Sequence, residues 1–276
     1  MTDSENLQLD NLLNRIFIKY GYDFRGYSRA SISRRINDFI SKECLTGIDE
    51  LIHNLDNDSN TFQKLLQAIS VTVTELFRDP PVYKLIKEKV LPYLSTYPDI
   101  RIWLAGCATG QEAYSIAILL YEAGLYDRTK IYATDINKQS LQSARNGIYS
   151  NEEIKKGSSN YLKAGGSNSL SDYYYEKYNH SIFSTKIKKN ITFINHNLVN
   201  DKPFHRFNFI ICRNVFIYFK IELQEKVLNL ISSSLIPNGF LCLGTKESID
   251  FIDNDKYFKT IDRKMKIYKK IKYSIV

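Results

Sequence analysis

The stretch GCATGQEAYS, residues 106–115, lies between the apolar run IRIWLA and the helix-like IAILLYEAG. A glycine-framed turn from Gly106, set between a strand and a helix start, is a common nucleotide cradle. Phosphate-binding versions surround the turn with Lys and Ser/Thr. Here the helix opens on Gln111 and Glu112 instead. A pyrophosphate would be repelled by Glu112 in a site of low dielectric constant, whereas a cationic nucleoside would be attracted. Asp135 closes the following apolar run, IYATD, somewhat less than thirty residues on. A carboxylate there can hold ribose hydroxyls; it can also start a helix, although Asn137 already suits that position. An adenosine, a sulfonium and an α-amino group together describe S-adenosylmethionine, and that ligand accounts for Glu112 and Asp135 at once.

Other candidates stand at the ends of apolar runs. FIICRNVFIYF is interrupted only by Arg213, Asn214 and Tyr218. A charged Arg in such a run either pairs with a carboxylate, Asp135 being one choice, or lines the site. Tyr218, four residues beyond Asn214, can turn back toward the same cleft. Upstream, SVTVTELFRDPP presents Thr72, Thr74 and Arg78, which can cover the cleft; Thr74 is also a plausible helix N-cap. DPPVY at 79–83 echoes a loop of DNA adenine methyltransferases, but Val82 stands where that loop needs an aromatic.

These residues require a particular scaffold. From residue 100 the chain alternates strand-like and helix-like segments, the signature of an α/β domain with a mostly parallel sheet. Ligands of such sheets bind beyond the carboxyl ends of the strands. Gly106 to Glu112, Asp135, Asn197, Arg213 to Tyr218 and Gly244 to Ser248 all occupy such positions. The expected organisation is a helical domain over 1–75 and a Rossmann-like domain over 76–276, with an inserted subdomain at about 150–190. In the helical part, Leu12, Leu13, Ile16 and Tyr20 share one face. Ile32, Ile36, Phe39 and Ile40 share another behind Ser28 as N-cap, and a third helix covers about 60–70. The insert is dense in Ser, Gly and Asn, which mark turns.

Composition narrows the classes. The 276 residues, 43% hydrophobic, suffice for a real core. No run approaches the roughly 20 apolar residues a membrane span needs, and the first residues carry no signal-peptide pattern, so a cytoplasmic protein is expected. The four Cys form no C-x-x-C pair and the four His show no ligand spacing, so buried thiols and no metal are expected. The net charge of +8 raises the question of an acidic partner. Much of the excess is Lys in the C-terminal KYFKTIDRKMKIYKKIKYSIV, where alternation with apolar residues predicts strands with solvated Lys faces. Arg29, Arg34 and Arg35 lie off the apolar stripe of the second helix, with Arg25 just before it, either as a solvated face or as a docking surface.

With these residues in view, the chain resembles the chemotaxis receptor methyltransferase family, the CheR-type S-adenosylmethionine-dependent protein-glutamate O-methyltransferases. TVTELFRD, IRIWLAGCATGQEAYSIAI, IYATDIN, HNLV, FNFIICRNVFIYF and NGFLCLGTKES match in family order from about 70 to 250. The resemblance implies a Rossmann-like methyltransferase sheet and a small N-terminal all-α domain. It implies a cofactor shell of Thr74, Arg78, Glu112, Asp135, Asn197, Leu198, Arg213 and Asn214, joined by Gly106 of the turn and by Thr72, where many members have Asn. It places Arg78 and Tyr218 nearest the transferred methyl and the acceptor glutamate. The implied product is S-adenosylhomocysteine. The implied partners are the acidic cytoplasmic helices of a methyl-accepting receptor, met by Arg25, Arg29, Arg34 and Arg35, with the enzyme a monomer and no nucleic acid or membrane span involved. Gln111 replaces the first Glu of a common G-E-E, so Gln111→Glu is expected to tighten cofactor binding if a second carboxylate matters. Ala113 replaces a common Pro, and Thr245 a frequent His. The insert matches the family's receptor-tail β-subdomain poorly. A same-fold methyltransferase acting on nucleic acid or on another signalling protein, and a non-catalytic cofactor-binding module, remain open at this level.

Overall fold

The computed structural model describes residues 3–72, 74–253 and 257–271. Four helices come first: α1 (Asp3–Tyr20), α2 (Arg29–Lys42), α3 (Ile48–Asn57) and α4 (Ser59–Ile69). Their apolar faces, including Leu12, Ile16, Ile36, Leu51 and Leu65, close on one another as a separate core. Helix α3 escapes the sequence pattern because its ten residues bury only Leu51 and Leu55 completely. Ser28 occupies the N-cap position of α2, but its side chain makes no capping bond. Its backbone N–H instead donates to the Tyr218 carbonyl at 2.7 Å.

Residues 74–78 are irregular, with a turn at Leu76 and Phe77, so Thr74 caps no helix. The next helical run is α5 (Pro80–Leu85), a π turn over Ile86–Val90, and α6 (Leu91–Leu94). Pro80 and Pro81 take the first helical positions, where a missing N–H costs nothing. They open a helix and follow no strand, which removes the DNA-methyltransferase reading of DPPVY.

The α/β part runs β1 (Ile100–Ala105), α7 (Gln111–Glu122), β2 (Thr129–Asp135), α8 (Lys138–Asn146), β3 (Ile148–Ser150), α9 (Asn151–Lys163), β4 (Tyr174–Lys177) and β5 (His180–Phe183). It continues with α10 (Thr185–Lys188), β6 (Ile191–Asn195), β7 (Phe207–Cys212), α11 (Ile221–Ser234), β8 (Leu235–Leu243), α12 (Asp250–Asp253), β9 (Phe258–Asp262) and β10 (Ile267–Lys270). Seven strands form one sheet in the order β6-β2-β1-β7-β8-β10-β9. The first five are parallel; β10 and β9 add antiparallel pairs at one edge. Every side chain of β7 is buried, as expected for a central strand with both faces covered. The strand order reverses between β1 and β7, and the loops after these two strands open on the same crevice.

The 150–190 stretch folds as α9 and the strands β4 and β5, which join β3 in an antiparallel sheet ordered β3-β5-β4. Its three- and four-residue strands are too short and polar to stand out from the surrounding Ser, Gly and Asn. Glu122 at the end of α7 accepts the hydroxyls of Tyr161 and Tyr173 and so ties the insert to the main sheet's helix layer.

Two expectations from composition change. Lys270 is buried rather than solvated: its ammonium donates to the Ser232 and Leu235 carbonyls at 2.6 and 3.1 Å, at the end of α11. Burial, with Arg206 nearby, pushes its pKa down to about 8. Residues 272–276 of the same Lys-rich segment lie outside the described residues. Cys107, Cys212 and Cys242 are buried thiols, but Cys44 is exposed. Among the described residues no helix is long and apolar enough to cross a membrane.

Candidate functional site

The turn after β1 is built by left-handed backbone. Gly106 has φ +79° and Gly110 φ +95°, conformations that a side chain disfavours. At Gly106 a Cβ would come within 2.6 Å of Val215 Cγ2, so the turn also needs the missing side chain to pass the loop after β7. The backbone N–H groups of Gly106 and Cys107 both donate to the Thr134 carbonyl, locking the turn to the end of β2.

Asp135 then closes the ring. Its Oδ2 accepts the Ala108 N–H and its Oδ1 the Asn137 N–H, both at 2.8 Å. Burial pushes its pKa up, and these backbone donors oppose the shift without cancelling it. A carboxylate has about four acceptor sites, and with the Ile136 N–H also facing it Asp135 keeps acceptor capacity for a ribose hydroxyl. Asn137 is the helix cap, its Oδ1 accepting the N–H groups of Gln139 and Ser140. The helix-cap role that competed for Asp135 therefore belongs to Asn137, and Asp135 lines the cleft.

Arg213, at the end of β7, pairs with two acids. One guanidinium nitrogen lies 2.6 Å from Glu112 and the other 2.6 Å from Asp79, and the latter also donates to the Arg78 carbonyl at 3.1 Å. Its side chain is only 2% exposed. Burial works against the Arg213 charge, but the Glu112 carboxylate together with other nearby groups outweighs it and holds the guanidinium above its ordinary range. The partners are therefore Glu112 and Asp79, not Asp135. Asp79 has φ +57°, an uncommon conformation for a non-glycine residue, and its carboxylate reaches the ion pair from there. The sequence pattern missed it because Asp79 is distant from Arg213 in the chain and adjacent to prolines that suggested something else. Two carboxylates around one guanidinium leave a net charge of −1, which complements an ammonium group.

Two connected clefts collect the candidate residues. The larger is walled by Asp135, Asn197, Leu198 and Tyr218 from the strand ends and by Tyr27, Ile32 and Ile69 from the helical domain. The smaller holds Thr74, Arg78, Glu112 and Arg213, and the two share Val71, Gly106, Asn214 and Tyr218. Asn197 shapes its own turn, its Oδ1 accepting the Val199 N–H at 2.9 Å. Thr72 is exposed and stands apart; Val71 takes the wall position beside it. Gln111 is also turned away, being 3% exposed and donating from Nε2 to Glu153 of α9 at 3.2 Å. The helical domain's contribution to the larger cleft was not legible in the sequence, since Tyr27, Ile32 and Ile69 look like ordinary core positions.

Arg25 and the three arginines of α2 do not form one free face. Arg25 pairs with Asp23 at 2.9 Å and Arg29 with Asp10 at 2.5 Å. Arg34 is exposed, while Arg35 lies on the cleft wall with its guanidinium carbon 5.5 Å from the centre of the Tyr218 ring.

Residues 72–267 match the family model described as CheR methyltransferase, SAM binding domain, and residues 7–70 match CheR methyltransferase, all-alpha domain. The chain is 42% identical over 273 residues to a Pseudomonas putida protein named Cher3, covering 98% of this chain and 100% of that one. It is 30% identical over 264 residues to a chemotaxis protein methyltransferase of Borreliella burgdorferi, covering 91% of each. A chemotaxis protein methyltransferase of Vibrio parahaemolyticus is 30% identical over 229 residues, covering 79% of this chain and 80% of that one. The two matched models span nearly the whole fold and meet where the helical domain closes on the sheet, so the chain belongs to the CheR methyltransferase family, with S-adenosylmethionine as its cofactor.

Proposed function

We propose that this protein transfers the methyl group of S-adenosylmethionine to glutamate side chains of a chemoreceptor-type signalling protein, forming methyl esters and S-adenosylhomocysteine. The observation that supports this is the presence of Arg78 and Tyr218 on the wall of the small cleft that also holds Glu112. When bound, the cofactor supplies an electrophilic methyl on a positive sulfur. The residues fit it: Asp135 has acceptor sites left for a ribose, and the Glu112, Asp79 and Arg213 group favours a cationic amino end. Asn197 and Leu198 wall the wider cleft beyond Asp135.

A free glutamate, with a pKa of about 4.3, is already a carboxylate at neutral pH. No base is required, and the protein's task is orientation. Arg213 cannot guide the acceptor, because its guanidinium is held by Glu112 and Asp79. Arg78 can draw the carboxylate into the cleft, and the Tyr218 hydroxyl can donate to it. Arg34 and Arg35, the members of the basic helix not held in ion pairs with Asp23 or Asp10, extend this attraction to acidic receptor helices on the cytoplasmic side.

The test combines labelled cofactor, membranes containing chemoreceptors and mild base, which releases methyl esters as methanol. Arg78→Ala and Tyr218→Phe should cut turnover far more than S-adenosylhomocysteine binding. Arg34→Glu with Arg35→Glu should lower methylation at low salt. Label appearing on nucleic acid, or unchanged turnover in both cleft variants, would refute the assignment.

A further inference from the structure

The loop after β7 carries Arg213, Asn214, Val215 and Tyr218 within six residues, and its shape decides where each points. It is not a regular element until the short 3₁₀ turn at Phe216–Tyr218, and Asn214 holds φ +61°. Something must hold such a backbone in place. The groups that do so come from the neighbouring strand, in the turn after β8. The Glu247 carboxylate, 4% exposed, accepts the Asn214 N–H at 2.9 Å and the Gly244 N–H at 2.6 Å through Oε2, and the Ile217 N–H at 3.2 Å through Oε1.

We infer that Glu247 is a positioning residue for methyl transfer: its carboxylate fixes the backbone between Arg213 and Tyr218 and so sets the place of the Tyr218 side chain at the acceptor end of the cleft. The inference rests on the proposed role of Tyr218. Burial pushes the Glu247 carboxyl up, and the backbone donors of Asn214, Gly244, Ile217 and Phe216 oppose that shift. All of these partners are donors, so the site calls for an acceptor on both oxygens. Glutamine has nearly the same shape but turns one of its two positions into an NH2 donor facing N–H groups, and must release part of the loop. Gly244 tests the same contact from the other side. A Cβ there would lie 2.7 Å from Glu247 Oε2 and 2.9 Å from the Asn214 nitrogen, wedging the carboxylate from the loop.

The experiment compares wild type, Glu247→Gln, Gly244→Ala and Tyr218→Phe, with Glu247→Gln/Tyr218→Phe as a double variant. Turnover is measured on chemoreceptor-containing membranes, and S-adenosylhomocysteine binding by calorimetry. Misplacement of about 1 Å at an acceptor site costs about 100-fold in rate, so Glu247→Gln should lose about 10- to 100-fold in turnover. It should keep one binding site per chain, with a smaller change in affinity. If Glu247 acts through Tyr218, its loss should shrink to a few-fold, about 2–5, in the Tyr218→Phe background. Full additivity in the double variant, or a turnover loss matched by the same loss of binding-competent protein, overturns the inference. Should Glu247→Gln fail to fold, Gly244→Ala must show the same split between turnover and binding, and its failure to do so is equally decisive. Unchanged turnover in Tyr218→Phe alone would instead sink the role given to Tyr218, leaving a different signature from unchanged turnover in Glu247→Gln alone.

Discussion

Replacing Glu112 by glutamine perturbs the centre of the proposed cofactor site while keeping its shape. In the folded protein Glu112 shares Arg213 with Asp79, each carboxylate 2.6 Å from the guanidinium. With Glu112→Gln, Asp79 still balances the Arg213 charge, so stability should fall by only about 1.5–3 kcal/mol, the scale of one lost hydrogen bond to a charged group. Arg213→Leu differs: it leaves Glu112 and Asp79 facing each other, and breaking a buried pair in this way costs about 3–5 kcal/mol. Asp79 is 36% exposed at its side chain, so water screens part of the repulsion and the low end applies. Binding should respond in the opposite order of specificity. The group loses its net charge of −1 in Glu112→Gln, and a charge-assisted bond to an ammonium is worth about 1.5–3 kcal/mol, or roughly 10- to 150-fold in affinity. Calorimetry with S-adenosylhomocysteine reads that loss. 5′-Methylthioadenosine, which lacks the amino acid end, is the control and should bind wild type and variant alike. An S-adenosylhomocysteine affinity within about twofold of wild type, or an equal loss for both ligands, would refute the electrostatic reasoning.

The other predictions follow from single contacts. Burial raises the Asp135 pKa, so cofactor affinity should fall on acidification at a pH above the ordinary Asp value of about 3.9, and Asp135→Asn should remove that part of the profile. For folding the sign is reversed: with the folded pKa raised, this group stabilises the fold when protonated, and that contribution is lost as pH rises through the folded value. Denaturation midpoints of Asp135→Asn against wild type across this window check it. Gly106→Ala combines a left-handed φ of +79° with a methyl 2.6 Å from Val215, and should cost about 1–2 kcal/mol or more in chemical denaturation and weaken cofactor binding. Gln111→Glu, expected from the sequence to tighten cofactor binding, places a second carboxylate against Glu153 across a 3.2 Å contact. It should leave S-adenosylhomocysteine affinity unchanged and cost about 1 kcal/mol of stability at low salt, restored by a further Glu153→Gln.

Much of the site was legible because its residues lie where the chain itself changes character. Asp135, Arg213 and Asn214 are polar residues that end or interrupt apolar runs, and in a parallel sheet those ends are where ligands gather. Glu112 stood out by chemical contrast with a phosphate loop. Thr72 is exposed and Gln111 is turned to Glu153 although each neighbours a wall residue, because adjacent side chains point in different directions. Lys270 misled because strand alternation tells which face a residue takes, but not that the end of α11 lies beneath that face.

The amino-acid sequence by itself determined the alternation of strands and helices, the helical character of the first part and the cationic nature of the ligand, because periodicity and residue chemistry are local properties. Only the tertiary structure decided how charges are shared. Asp79 and Glu112 meet at Arg213, and Glu247 holds the loop of Tyr218, through contacts between residues 33 to 134 positions apart. Such pairings depend on the order of strands in the sheet, which brings the loops after β1, β7 and β8 to one crevice. In the helical domain Arg29 is held by Asp10 because α1 packs beside α2, and Arg35 reaches Tyr218 because that domain folds against the strand ends.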